Sequence, residues 1–170
     1  KNDPTVCYVA LLIAKPVFDV LRKGSSEHLP MPTPKTPLLT VDCVVRDARG
    51  RILLVTRGKP PFRGQLALPG GFVNRGESVE DACRREVLEE TGLKLKRLRL
   101  VGVYSKPGRD PRGPTCSIAF FASVRSGAVT GGDDAAGAAW VCDWKSEPLA
   151  FDHRDIIADA LRQFAPPPRT

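Results

Sequence analysis

One stretch of the sequence, residues 71–93, constrains the fold more than any other, because it reads as a loop, a helix and a stop. Ser78 followed by Asp81 is a capping-box type start, since a hydroxyl and a carboxylate at this spacing take up free N–H groups of the first helical turn. Gly92 is a natural end, because glycine adopts the left-handed conformation of a residue following a helix at the lowest cost. The sequence therefore predicts a helix between Ser78 and Gly92.

Two acidic residues of this helix point toward the predicted core. At roughly 100° per residue, one arc of the helix collects its apolar residues, namely Val79, Ala82, Cys83 and Val87. Glu86 and Glu90 fall in that same arc, where their negative charges repel each other and their burial costs free energy. Glu89 on the flank of the arc adds a third negative charge nearby. A divalent cation would offset this cost, and carboxylate oxygens suit Mg²⁺ or Mn²⁺. The alternative is a solvated acidic face in which Arg85 pairs with Glu89 or Asp81, but the acids lie on the wrong arc for it.

This stretch resembles the Nudix box, Gly-x5-Glu-x7-Arg-Glu-U-x-Glu-Glu-x-Gly-U, in which U is an aliphatic residue. Every fixed position is matched, by Gly71, Glu77, Arg85, Glu86, Val87, Glu89, Glu90, Gly92 and Leu93. The resemblance implies a hydrolase of nucleoside diphosphates that are linked to another group. It also implies an α+β fold of the Nudix type, an α/β/α sandwich with a mixed central sheet.

The resemblance further implies roles for individual residues. The expected metal ligands, for Mg²⁺ or alternatively Mn²⁺, are Glu86, Glu89, Glu90 and the carbonyl of Gly70. Glu77 would tune this cluster, and Arg85 would orient the carboxylates by pairing with them. The general base stays open among three acids, Glu89, Asp133 and Asp134.

Charged residues outside the box are the candidates for substrate binding. Arg57 and Arg63 flank a Gly- and Pro-rich loop before the box, and this loop is either solvated or in contact with phosphate. Arg109 and Arg112 lie in a second such loop, where a planar guanidinium suits phosphate but a solvated turn is the commoner outcome.

A third candidate loop contains the acidic pair Asp133 and Asp134. These residues either cap a turn, which is the commonest role of aspartate in loops, or approach the metals and position water or substrate.

Two segments resemble the ADP-ribose pyrophosphatase subgroup of this family. Its loop reads roughly Tyr-Ser-x-Pro-x-Arg-Asp-Pro-Arg-Gly-His-Thr, which residues 104–115 match except that Pro114 replaces His, and residues 149–153 read Leu-Ala-Phe-Asp-His. The subgroup implies hydrolysis of ADP-ribose to AMP and ribose 5-phosphate. His153 is expected to start the terminal helix rather than to act as a catalyst.

Two rival functions remain open. One is another Nudix activity, on oxidised nucleoside triphosphates, NADH or dinucleoside polyphosphates. The other is a non-catalytic ADP-ribose sensor that regulates transcription. The complete box and the few residues after the terminal helix favour the enzyme over the sensor.

Composition limits the class of partner. A net charge of +7 favours anions, which include nucleic acid as well as a small nucleotide. The basic residues are scattered with few aromatic residues among them, so nucleic acid is disfavoured and a small-molecule nucleotide substrate is expected.

The 170 residues fit one main domain, which we expect at 38–165, with an N-terminal extension at 1–37 and a tail at 166–170. The extension contains an apolar run at 6–14, too short to cross a membrane, and a Pro-rich linker. An accessory strand or a homodimer-forming arm is the expected role of this extension.

The five cysteines form no C-x-x-C pair, which indicates reduced thiols and a cytoplasmic protein. Cys43, Cys83 and Cys142 each lie in an apolar pattern and are expected to be buried. Runs of β-forming residues predict strands at 38–46, 52–57, 98–104, 115–124 and 139–144, and an apolar periodicity predicts a terminal helix at 154–164.

Overall fold

The computed structural model describes residues 36–125 and 135–164 as strands, two helices and their connections. In chain order the elements are β1 Leu38–Asp47, β2 Ile52–Arg57, β3 Leu66–Ala67, β4 Gly70–Phe72, α1 Val79–Thr91, β5 Arg99–Tyr104, β6 Thr115–Val124, β7 Ala135–Val141 and α2 His153–Phe164. The predictions made for residues 1–35, for the tail and for Asp133 and Asp134 lie outside the described residues.

The strands form one mixed sheet, as predicted. Its order is β3-β2-β1-β6-β5, with β4 paired to β1 and β7 paired to β2. The β1–β6 pair is parallel, with Leu38 opposite Thr115, whereas the β1–β2, β1–β4 and β5–β6 pairs are antiparallel. This pairing places the central strand β1 beside both β4 and β6, so that the box and the second Gly/Pro-rich loop reach the same end of the sheet.

A helix covers each face of the sheet, because the side chains of β1 alternate between two apolar clusters. Cys43 of β1 packs with Ala82 and Val87 of α1, while the next residue, Val44, packs with Ile156 of α2. The result is the predicted α/β/α sandwich.

Two predictions near the end of the sheet are wrong. The last strand was expected at 139–144, but β7 covers Ala135–Val141, since the register with β2 runs from Ile52 opposite Val141 to Arg57 opposite Ala135. Cys142 therefore follows the strand and is exposed, whereas Cys43 and Cys83 are buried free thiols as expected. Within the described residues, no helix is long and apolar enough to cross a membrane.

Candidate active site

Helix α1 begins and ends where its capping residues predict. The Ser78 hydroxyl accepts a hydrogen bond from the Asp81 N–H at 3.1 Å and donates one to the Asp81 carboxylate at 2.8 Å. Gly92 closes the helix in the left-handed region, with φ of 72°, and its N–H donates to the Leu88 carbonyl. The caps fix which residues of α1 face the sheet, with Ala82, Cys83, Val87 and Thr91 buried.

Arg85 connects this helix to the loop that precedes it. Its Nε and Nη2 donate to the two oxygens of Glu77 at 2.8 and 2.9 Å, and Nη2 also donates to the Phe72 carbonyl at 3.0 Å. Its Nη1 donates to Glu86 at 2.6 Å and to Glu89 at 3.1 Å. The hydrogen bonds from Arg85 lower the pKa of Glu77 to about 2, so Glu77 stays ionised and the pair orients the box.

Glu86 and Glu90 are the acids that the helix turns inward. Burial raises the pKa of Glu86, and burial together with the charges of Glu86 and Asp42 raises the pKa of Glu90 to about 7. The Gly70 N–H donates to Oε2 of Glu90 at 3.0 Å, which holds this carboxylate against the strand that leads into the box. Two crowded acids with raised pKa values are the electrostatic arrangement that a bound cation relieves.

Glycine is required where the box meets Glu86. A Cβ on Gly71 would lie 2.5 Å from Cδ and Oε1 of Glu86, closer than nonbonded atoms approach. The absence of a side chain at Gly71 thus leaves the space in which the Glu86 carboxylate lies.

A cavity of about 460 Å³ opens beside these two acids. Helix α1 contributes Glu86 and Glu90 to its lining, and β4 contributes Gly70, Gly71 and Phe72. The end of β2, the second Gly/Pro-rich loop, the turn before α2 and the start of α2 complete it with Arg57, Arg109, Arg112, Phe151 and His153. The cavity therefore joins acidic groups on one wall to cations and aromatic rings on the other.

The donor set fits a divalent cation of the Mg²⁺ type. Among the described residues no three side chains of His, Cys, Asp or Glu form a ready-made cluster. Mg²⁺ needs no such cluster, because it is usually held by one or two carboxylates and keeps its other positions for water and substrate phosphate. Glu86 and Glu90, which both line the cavity, meet that requirement.

A buried ionic network that the sequence did not predict forms part of the cavity wall. Arg109 donates to both oxygens of Asp152, at 2.6 and 2.9 Å, and also pairs with Asp42 at 3.4 Å. The Ser117 hydroxyl donates a hydrogen bond to the same Asp42. The Leu68 N–H donates to Nδ1 of His153, and Nε2 of the same ring lies 3.3 Å from Oδ1 of Asp42.

The predicted cationic residues divide by their partners. The side chain of Arg109 is only 5% exposed and its charge is neutralised by Asp152 and Asp42, and Arg112 makes a bidentate pair with Asp110. Arg57 instead donates to the carbonyls of Pro61 and Lys59, and burial and the nearby Arg112 lower its pKa. Of the three arginines that line the cavity, Arg109 and Arg112 each form an ion pair with a carboxylate, whereas Arg57 forms none with any described residue.

Four of the described residues that were predicted for the site lie away from the cavity lining, namely Glu77, Arg85, Arg63 and Glu89. Arg63 is exposed in its loop, and Glu89 has a side chain that is 55% exposed and is held by Arg85. Sequence reasoning missed Thr40, Phe72 and Phe151, which do line the cavity. Their positions follow from pairing between β1 and β4 and from the approach of α2, and no local pattern marks them.

Comparison with known proteins identifies the family that the chain resembles. The NUDIX domain model matches residues 36–160. The ADP-ribose pyrophosphatase of Methanocaldococcus jannaschii is 49% identical over 127 residues, which are 74% of this chain and 74% of that protein. The ADPR responsive transcriptional repressor NtrR of Acinetobacter baylyi is 32% identical over 74% of this chain, which spans 54% of the repressor. Among solved structures, the NUDIX domain of Shewanella oneidensis NrtR complexed with ADP ribose matches with a TM-score of 0.74 and 30% identity, covering 82% of this chain and 97% of that one.

Proposed function

This chain belongs to the Nudix family, and from that premise we propose that it hydrolyses ADP-ribose to AMP and ribose 5-phosphate with Mg²⁺ as its metal. Nudix hydrolases generally use divalent metals. The observation that carries the choice of substrate is the 49% identity to a protein named ADP-ribose pyrophosphatase.

The geometry supports this reaction through the division of charge in the cavity. Glu86 and Glu90 would hold the metal, with the Gly70 carbonyl as a further candidate ligand, and Arg85 keeps Glu86 in place. A divalent cation bound there would supply charge neutralisation of the diphosphate and a lower pKa for a coordinated water. Arg57 lines the same cavity without a carboxylate partner, so it supplies the positive charge that the diphosphate needs. For the general base, Glu89 and the undescribed Asp133 and Asp134 remain candidates.

The test is incubation of the protein with ADP-ribose, NADH and 8-oxo-dGTP, with and without Mg²⁺, and identification of the products by mass. We expect AMP and ribose 5-phosphate from ADP-ribose, only with metal present. Glu86→Gln and Glu90→Gln should each lower kcat by about a hundredfold or more, since each removes a ligand of the metal that stabilises the transition state. Near-normal turnover of Glu86→Gln at saturating Mg²⁺ would contradict the metal assignment.

A second candidate function is ADP-ribose sensing, which the 32% identity to a transcriptional repressor favours. A sensor would bind ADP-ribose without cleaving it. Wild-type protein that binds ADP-ribose in a calorimeter but yields no AMP would support the sensor and reject the enzyme. A homodimer and a cytoplasmic location also stay predictions, and light scattering on the purified protein checks the first.

A further inference from the structure

One wall of the cavity is aromatic, and neither metal binding nor charge neutralisation uses it. Phe72 ends β4 opposite Thr40 of β1, and it is 45% exposed although it lines the cavity. A single exposed phenylalanine is ordinary on a protein surface. This ring, however, belongs to a set of flat groups on the cavity wall.

Arg112 lies between two of these rings. Its Cζ is 5.7 Å from the centroid of Phe72 and 5.6 Å from that of Phe151. The buried Asp110 holds the guanidinium through Nε and Nη2, at 3.0 and 2.7 Å, and neutralises its charge. A neutralised planar group gains little from a phosphate but keeps a face on which another flat group can stack.

Phe151 is the second phenylalanine ring beside Arg112, and its conformation is held by its neighbours. It adopts a left-handed backbone conformation with φ of 54°, which is rare for a bulky residue, and its ring makes an edge contact with Phe62 at 5.0 Å. Backbone strain of this kind persists where surrounding structure enforces it, and it is concentrated at ligand sites. The Cζ of Arg57 lies 4.8 Å from the same ring, so the aromatic wall adjoins the cation assigned to the diphosphate.

A hydroxyl beside Phe72 also lacks a partner. Oγ1 of Thr40 is buried and makes no hydrogen bond with any described residue. Residues directly opposite each other in antiparallel strands project on the same face of the sheet, so Thr40 adjoins the Phe72 ring. Buried polar groups are nearly always hydrogen-bonded, and Thr40 lines the cavity, so a bound ligand can supply what is missing.

We propose that Phe72, Arg112 and Phe151 form the nucleobase site of this enzyme, with the Thr40 hydroxyl as a hydrogen-bonding group at its edge. The inference rests on the proposed function in that it takes a nucleotide as the ligand. It reassigns Arg112 from the diphosphate to the base, and leaves Arg57 to the phosphates. The base is then recognised mainly by its flat face.

The test compares two ligands that differ only in the base, AMP and ribose 5-phosphate, by calorimetry with Mg²⁺ present. Wild-type protein should bind AMP more tightly than ribose 5-phosphate. Phe72→Ala and Arg112→Lys should each weaken AMP binding by roughly 5- to 100-fold, which is the range expected when one stacking partner is lost. The same variants should change ribose 5-phosphate binding by less than about twofold, since this ligand has no base. Thr40→Val should weaken AMP binding by roughly two- to tenfold, since it removes one hydrogen bond at constant shape.

Phe72→Tyr is the matched control, because it keeps the ring and should keep the AMP affinity. Arg112→Lys also controls for charge, because lysine keeps the positive charge and removes only the planar guanidinium group on which a base could stack. Equal affinity of the wild type for both ligands would overturn the base site, as would variants that weaken both ligands alike. If the wild type failed to cleave ADP-ribose, the proposed reaction would fall, but the two binding affinities would still decide the base site.

Discussion

Glu90 is the residue on which the pH response of the site depends. Burial and the nearby charges of Glu86 and Asp42 raise its pKa to about 7, against an ordinary glutamate pKa of about 4.3 in an unfolded chain. Between these values the folded state binds the extra proton, so this group makes the metal-free protein less stable as the pH rises from about 4 to 7. A cation binds the charged form and reverses the penalty.

We therefore expect Mg²⁺ to raise Tm by more at pH 8 than at pH 6, because below about pH 7 the metal must displace a proton from Glu90. Scanning fluorimetry with and without MgCl₂ measures the difference. In Glu90→Gln the Mg²⁺ effect on Tm should be small and should differ less between the two pH values than in the wild type. An equal Mg²⁺ effect at both pH values in the wild type would count against Glu90 as a ligand.

Substitution of two neighbouring glycines by alanine is expected to affect different properties, metal binding for Gly71 and stability for Gly70. A Cβ on Gly71 meets only the movable end of Glu86, at 2.5 Å, whereas a Cβ on Gly70 meets the backbone carbonyl of Val41 at 2.1 Å. Gly71→Ala should therefore fold with a nearly unchanged Tm but lose about tenfold or more in metal affinity and kcat, because Glu86 is displaced. Gly70→Ala should lower Tm, because β4 must move away from β1. Comparing Tm and Mn²⁺ affinity of the two variants checks this, and identical behaviour would contradict it.

At the scale of elements, Arg85 joins α1 to the loop between β4 and the helix. Arg85→Lys removes the bidentate pair with Glu77, so we expect kcat to fall by about 10- to 100-fold, as when a group that orients metal ligands is lost. Ser78→Ala is the control on the same helix. It should cost about 1 kcal/mol of unfolding free energy through the lost cap and leave kcat unchanged. A similar loss of kcat in both variants would show that helix stability, not carboxylate orientation, is what Arg85 supplies.

Local elements could be predicted from the sequence because their determinants are local. The caps at Ser78 and Gly92 act within one helical turn, and the arc that turns Glu86 and Glu90 inward follows from helical period. The ion pairs of Arg109 could not be predicted from the sequence. Its partners Asp42 and Asp152 lie 67 and 43 residues away along the chain, and only the sheet and α2 bring them together.

The same reason explains the strand that was misplaced. Residues 135–139 are alanine and glycine, which have low β-propensity, so no strand was predicted for residues 135–138. Pairing with β2 nonetheless extends them as β7, because the neighbouring strand supplies hydrogen-bond partners that a propensity scale does not contain. Phe72 and Thr40 became site residues in the same way, by pairing across β1 and β4.

At the scale of the whole molecule, the buried Asp42 network connects the central strand to α2 and to the loop before β6. Burial opposes ionisation of Asp42, but His153, Ser117 and Arg109 outweigh it and lower its pKa to about 2. A carboxylate with a lowered pKa stabilises the fold above its ordinary pKa of about 3.9, and this contribution disappears as the pH falls toward 2. The network should therefore contribute to stability at neutral pH and not in strong acid.

Asp42→Asn tests this at constant shape. We expect it to lower the unfolding free energy at pH 7 by roughly 1.5–3 kcal/mol, the range for hydrogen bonds to a charged group, while Arg109 keeps its pair with Asp152. Urea denaturation across the acid range should show the gap between wild type and variant closing from about pH 4 downward, because the wild type then loses the same charge. Glu80→Gln, which changes an exposed acid of α1, should show no such gap at any pH. A gap that persisted undiminished near pH 2 would mean that Asp42 acts through its shape rather than through its charge.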